Sequence, residues 1–141
     1  MPNDPVRVAY TKKWLLKAGK DLGRVDVALS AGPPDPEDAL FHCQQAIEKT
    51  LKAFLTWHDQ PFRKIHDLGK LGKQCVTIDP ALEYLVDRVA SVTEYAWAFR
   101  YPGDLPDPTV AEAQEARTLA REVFDAILDR LPADVRSQHW L

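Results

Sequence analysis

The residues best able to do chemistry are a set of polar side chains on the stretch Asp38–Leu71, where His42, Gln45, Lys49 and Lys52 recur at helical spacing. At 100° per residue, His42, Gln45 and Lys49 fall within about 60° of one another, opposite a stripe of Leu40, Cys43, Ile47, Leu51 and Phe54. Lys52 borders that group. Glu48 stands four residues before Lys52, the favourable order for a helix-surface ion pair worth about 0.2–0.5 kcal/mol. Two arrangements satisfy the pattern. One is a solvated face with an intrahelical pair; the other is a cationic groove for phosphate groups or for a partner's acidic surface.

Two further blocks carry polar chemistry. His66-Asp67 follows Arg63 and Lys64 and heads a short helix, where a histidine beside an acid is ordinarily a cap or a local hydrogen-bond partner. Set against an arginine, the same histidine would hold or protonate a phosphate-bearing ligand. Phe99-Arg100-Tyr101-Pro102-Gly103-Asp104 ends a later helix. Part of it is stop chemistry, since Pro102 cannot continue the helix and Arg100 suits the negative end of the helix dipole. A guanidinium beside a phenol also suits a phosphate plus a base or ribose. Trp14, Trp57, Trp97 and Trp140 read as packing or interface residues. No nucleophile–base–acid set, phosphate-binding glycine loop or Glu-x-x-His di-iron pattern occurs, so neither a metal nor a cofactor is expected.

The bulk numbers set limits. At 141 residues the chain is long enough for one domain with its own core. A net charge of −3 argues against nucleic-acid binding through bulk charge, and no DNA partner is expected, although Lys49, Lys52, Arg63, Lys64, Lys70 and Lys73 crowd one quarter of the chain. Cys43 and Cys75 make no disulfide framework or zinc site, and Cys43 falls on an apolar arc as a core thiol. There is no signal-peptide run and no stretch of about 18 apolar residues, so a cytoplasmic protein without a membrane partner is expected.

The elements that must position these residues are helices. Asp35-Pro36, Asp79-Pro80 and Asp107-Pro108 each fit a start, with Asp capping free N–H groups and Pro at the first helical position. The spacing predicts helices over about Val8–Ser30, Pro36–His58, Pro80–Phe99 and Thr109–Leu131, and a short one over His66–Cys75 that Gly69 and Gly72 weaken by about 1 kcal/mol each. Leu15, Ala18, Leu22, Val25 and Leu29 face inward on the first helix, as do Leu82, Leu85, Val86, Val89, Val92, Ala96 and Phe99 on the fourth. Short connections favour antiparallel neighbours. The expected fold is all-α, an up-and-down four-helix bundle with one additional short helix over residues 1–131, followed by a tail over 132–141 that frays or docks through Trp140.

Taken together, Phe41-His42-Cys43-Gln44-Gln45-Ala46-Ile47-Glu48-Lys49-Thr50-Leu51-Lys52-Ala53, His66-Asp67-Leu68 and Arg100-Tyr101-Pro102 resemble the small prokaryotic HEPN-domain proteins over about Leu15–Leu131. The resemblance implies a helical bundle that commonly dimerises and a role as substrate- or nucleotide-binding partner of a minimal nucleotidyltransferase. Other members are ribonuclease toxins with an arginine followed four to six residues later by a histidine. His42, His58, His66 and His139 all miss that interval, so the ribonuclease activity is not carried over. The expected function is a non-catalytic, homodimeric binding module whose ligand residues are Lys49, Lys52, His66, Arg100 and Tyr101, with Glu48 and Asp67 orienting the cations. Nucleotide binding should then fall on Arg100→Ala or Lys52→Ala while the thermal melt stays similar. The alternatives are a metal-independent ribonuclease with a composite His66–Arg100 site, and a structural subunit whose polar face binds protein.

Overall fold

Aspartate caps start most of the helices, and they fix where each one begins. The computed structural model describes residues 3–62, 66–96 and 107–136, with the backbone alone over 92–96. Its elements are α1 (Pro5–Ser30), α2 (Pro36–Trp57), α3 (Leu68–Ile78), a 3-10 turn (Pro80–Leu82), α4 (Glu83–Ala96) and α5 (Val110–Leu128). Asp35 accepts from Asp38 N at 3.1 Å and Asp79 from Ala81 N at 3.0 Å, as their pairing with proline predicts. Asp4-Pro5 is one more such pair, and it starts α1 three residues before the expected Val8.

Other boundaries also differ from the sequence expectation, and α5 ends at Leu128 rather than Leu131. Asp67 caps α3, so the helix starts at Leu68 rather than His66 and runs on to Ile78. Pro80 opens a single tight turn before α4, not α4 itself. Asp107-Pro108 does not start α5: Thr109 is the cap, in a reciprocal box with Glu112 that satisfies two free N–H groups together and so outcompetes the single carboxylate.

The regular structure of the described residues is all helical, with no strand among them, and forms the expected bundle of four long helices and a short one. α2 is its centre, packed on α1, α5 and α3. Its alanine edge explains the close approach: Ala39 and Ala53 are fully buried and Ala46 is 1% exposed. Phe54 of α2 and Phe124 of α5 are the bulkiest enclosed side chains, each contributing roughly 1.5–3 kcal/mol through burial. Leu15, Ala18, Leu22 and Val25 of α1 are buried as expected, and Leu82, Leu85 and Val89 close the other side. Val92, Ala96 and Phe99 lie outside the described side chains. The chain stays on the bundle after α5, because Val135 is fully buried and Asn3 reaches Asp134. Cys43 and Cys75 are free and buried, and burial pushes both thiols up to about 12, which keeps them protonated and inert.

Salt bridges tie the ends together. Asp26 of α1 accepts from Arg117 at 2.6 Å and Arg121 at 3.2 Å on α5, and Arg130 donates to Asp79 at 2.6 Å. The Arg130 hydrogen bond, then that of the Ala81 amide, holds the Asp79 carboxyl below 3.8. No helix among the described residues is long and apolar enough to cross a membrane.

The glycines of this fold are not equivalent. A Cβ on Gly72 would stand 2.6 Å from Val86 Cγ1, so the absence of a side chain is what lets α3 lie against α4. Overpacking of about 1–3 kcal/mol outweighs the helix-propensity gain of about 1 kcal/mol, and Gly72→Ala is expected to lose stability. Gly23, on the open face of α1, has nothing within 4 Å of its Cβ position. Gly23→Ala should gain about 1 kcal/mol. Urea titrations of both variants check the opposite signs.

Candidate functional site

The polar residues of α2 do not share one wet face. They divide between two sites, because α1 packs along the arc expected to face solvent. In the first site, Asp21 of α1 is 2% exposed and reaches across the seam. One carboxylate oxygen meets His42 Nδ1 at 2.8 Å and the other accepts from Lys49 Nζ at 2.5 Å. An ionised carboxylate only accepts, so the His42 proton on this contact sits on Nδ1. Lys49 is therefore committed to an internal partner.

The second site lies nearer the C-terminal end of α2. Glu48 is 7% exposed and Lys52 4%, and Lys52 Nζ donates to Glu48 Oε2 at 3.2 Å. The same oxygen meets His66 Nδ1 at 3.2 Å. The expected intrahelical pair exists, but it is buried rather than solvated. Lys52 Nζ also stands 5.5 Å from the ring centres of both Trp14 and Phe62, within cation–π range. Those two rings meet edge-on at 5.8 Å. The ammonium thus sits among a carboxylate and two aromatic rings.

This box is part of a cleft of about 850 Å³ between the start of α1, the end of α2 and the segment that follows it. Arg7, Tyr10 and Trp14 line it from α1, Lys52 and Thr56 from α2, and Phe62 and His66 from the connection. Asp4 and Asp59 line it as well. Arg7 lays its guanidinium 4.5 Å from the Trp57 ring centre, which makes Trp57 a support for a cleft cation. Burial, then the positive charge of Arg7, holds His58 below 6.5. Arg7 Nε and Trp14 Nε1 are buried without a hydrogen-bond acceptor, two donors on the cleft wall that folding leaves unmatched. Among the described residues no group of acids, histidines and cysteines is arranged to hold a metal ion.

Of the residues singled out in the sequence, the structure brings Lys52, His66 and Glu48 together and sets Lys49 apart. Asp67 uses its carboxylate on Gly69 N at 2.9 Å and Lys70 N at 3.2 Å, as a helix cap. Arg100, Tyr101, Arg63 and Lys64 lie outside the described residues, as do Trp97 and Trp140. The sequence reading missed Arg7, Tyr10, Trp14 and Phe62 as site residues. Arg7, Tyr10 and Trp14 recur at three- and four-residue spacing, a signal that was present but reads equally as the edge of a core stripe. Asp21 was also missed, although an acid three residues after Ala18 and four before Val25 borders the apolar stripe of α1.

The fold is an all-α bundle of antiparallel helices with an aromatic-walled cleft at one end that holds both basic and acidic side chains. The chain belongs to the HEPN-domain family, whose model matches residues 11–131. Neither a curated protein nor a solved structure matches it.

Proposed function

We propose that this HEPN domain is a non-catalytic binding module that holds a nucleotide-like ligand in the α1–α2 cleft and acts, as a homodimer, beside a minimal nucleotidyltransferase. The observation that carries the proposal is the combination in one cleft of Arg7, Lys52 and His66 with Tyr10, Trp14 and Phe62. Cations meet phosphate oxygens through charge-assisted hydrogen bonds, and aromatic faces take a base. Arg100 and Tyr101, outside the described residues, keep their assigned role as a second phosphate and base or ribose contact. The sequence supplies no arginine–histidine pair at ribonuclease spacing, which is why binding rather than cleavage is proposed.

The test uses residues whose loss spares the core. The His66 side chain is 72% exposed, and Glu48 keeps Lys52 when it is removed. Calorimetric titration with AMP, ADP and ATP should show His66→Ala and Arg7→Ala each weakening binding by roughly tenfold, the scale of one lost charged hydrogen bond. The His66→Ala melt should stay within about 2 °C of wild type, on the scale of an exposed substitution. Wild-type protein that binds none of these nucleotides, alone or with its partner nucleotidyltransferase, overturns the proposal.

A further inference from the structure

The outer face of α1 sets exposed apolar side chains among cations, a pattern that neither the core nor the cleft uses. Leu16, Lys20, Gly23 and Val27 follow one another at intervals of four, three and four residues. They fall within an arc of about 60°, opposite the buried stripe of Leu15, Ala18, Leu22 and Val25. Val27 is 71% exposed and Leu16 47%. Single apolar residues on a surface are ordinary, so the bland reading is a solvated face with two strays.

Two further observations tell against that reading. The first is Gly23, which weakens the middle of the helix relative to alanine. Gly72 has an internal reason for lacking a side chain, the close approach of Val86, but nothing lies within 4 Å of the Cβ position of Gly23. The missing side chain leaves an open notch in the seam between Lys20 and Val27. The second is charge. Lys13, Lys17 and Arg24 border the seam on one side and Lys12 on the other. With Lys20 they are all exposed, and none has an ion pair to a carboxylate among the described residues. The acids of α1 that could pair with them are taken elsewhere. Asp21 is turned inward to His42 and Lys49, and Asp26 holds Arg117 and Arg121.

We infer that the outer face of α1 docks an acidic amphipathic helix of a partner protein. The partner's apolar stripe lies on Leu16, Gly23 and Val27, and its carboxylates meet the cations on either side. Spacing of four, three and four residues is that of a helix–helix seam, and a residue without a side chain in the seam receives a partner's side chain. From Lys12 to Val27 the face runs about 22 Å, four turns of helix. A chain of phosphates would use the cations but not Leu16, Val27 or the notch, and these favour a protein helix. A second copy of α1 does not fit, because a two-fold contact would set the basic seam against itself. The inference goes beyond the cleft and does not depend on a nucleotide binding there.

The test is fluorescence anisotropy with a labelled peptide of about 20 residues, long enough to hold a helix. It carries leucine at alternating three- and four-residue spacing, glutamate beside the leucines and glutamine elsewhere. A scrambled peptide of the same composition is the control, and sedimentation and calorimetry with AMP accompany it. Wild-type protein should bind the amphipathic peptide at least about tenfold more tightly than the scrambled one, which has the charge without the apolar stripe. Lys20→Glu combined with Arg24→Glu, and separately Val27→Asp, should each weaken the peptide by about tenfold. These side chains are exposed and outside the cleft, so AMP affinity should be unchanged and the melt should stay within about 2 °C of wild type. Gly23→Gln should raise the thermal midpoint and yet weaken the peptide, which separates docking from stability. Lys73→Glu, an exposed change on α3, should leave the peptide bound. No peptide binding, equal binding of the scrambled peptide, or full affinity in the charge variant, in Val27→Asp or in Gly23→Gln overturns the inference. So does an equal loss in Lys73→Glu, full displacement of the peptide by an equal concentration of single-stranded RNA, or a dimer that Val27→Asp dissociates. AMP binding is read separately, so each of these outcomes leaves the nucleotide site standing.

Discussion

Lys52→Ala is expected to lower the stability of the bundle by about 3–5 kcal/mol, the cost of leaving a buried charge without its partner. The thermal midpoint should fall by roughly 10–20 °C for a domain of this size. Lys52 is 4% exposed and Glu48 7%, so neither group can turn to water when the other is removed. His66 touches the same carboxylate oxygen at 3.2 Å, but from an exposed position that makes it a weaker substitute. The ammonium also loses its place between the Trp14 and Phe62 rings, whose edge-on packing then borders a void. Removing both charges should be far milder: Glu48→Gln with Lys52→Met keeps the volume and leaves no unpaired ion. Urea denaturation of Glu48→Gln, Lys52→Met and the double closes the cycle, and a coupling below about 0.5 kcal/mol would show that the pair is solvated after all. One consequence corrects the sequence expectation directly. Lys52→Ala cannot leave the melt unchanged, so weakened nucleotide binding in that variant would report a damaged fold as much as a lost contact.

That correction shows what the sequence could and could not say. The helices were legible because each level of the signal agreed: aspartate caps before proline, apolar residues at three- and four-residue spacing, and short connections. Leu15, Leu22, Leu51 and Phe54 were placed in the core from spacing alone, and there they stand. The polar arc of α2 was misjudged because angular position on one helix says nothing about what packs against it. His42 and Lys49 lie opposite the apolar stripe of α2, and in isolation that face is wet. What buries it is an acid on another helix, 28 residues before Lys49, a pairing that no local period encodes. The cleft was half legible for the same reason. Lys52 and His66 were marked by their chemistry, whereas Arg7, Tyr10 and Trp14 join them only because α1 starts beside the end of α2. The cap of α5 was misassigned where two local signals competed: the helix starts within one residue of the expected Thr109, but the Thr109–Glu112 box caps it in place of Asp107-Pro108.

The other buried network gives the second large effect, and the order of its variants decides between two physical pictures. Asp21 is 2% exposed and holds both His42 and Lys49, whose side chains are 14% and 23% exposed. The lysine has a flexible stem and an open route to solvent; the carboxylate has none. Lys49→Met should therefore cost more than Asp21→Asn, about 3–4 kcal/mol against about 2, because only the first strands an ion in the seam between α1 and α2. Both losses should persist almost unchanged at 0.5 M salt, since a pair inside the protein is little screened. The exposed Arg88–Glu122 pair offers the contrast, with a contribution below about 1 kcal/mol that salt removes. Urea titrations at two salt concentrations give all of these numbers. The reverse order, with Asp21→Asn the costlier, would mean that the lysine and not the carboxylate is the trapped charge. The same variants settle the place of Lys49 in function. A lysine devoted to the α1–α2 seam should leave AMP affinity within twofold when replaced by methionine, whereas a lysine that also serves the ligand should weaken it tenfold, the scale of one charged hydrogen bond.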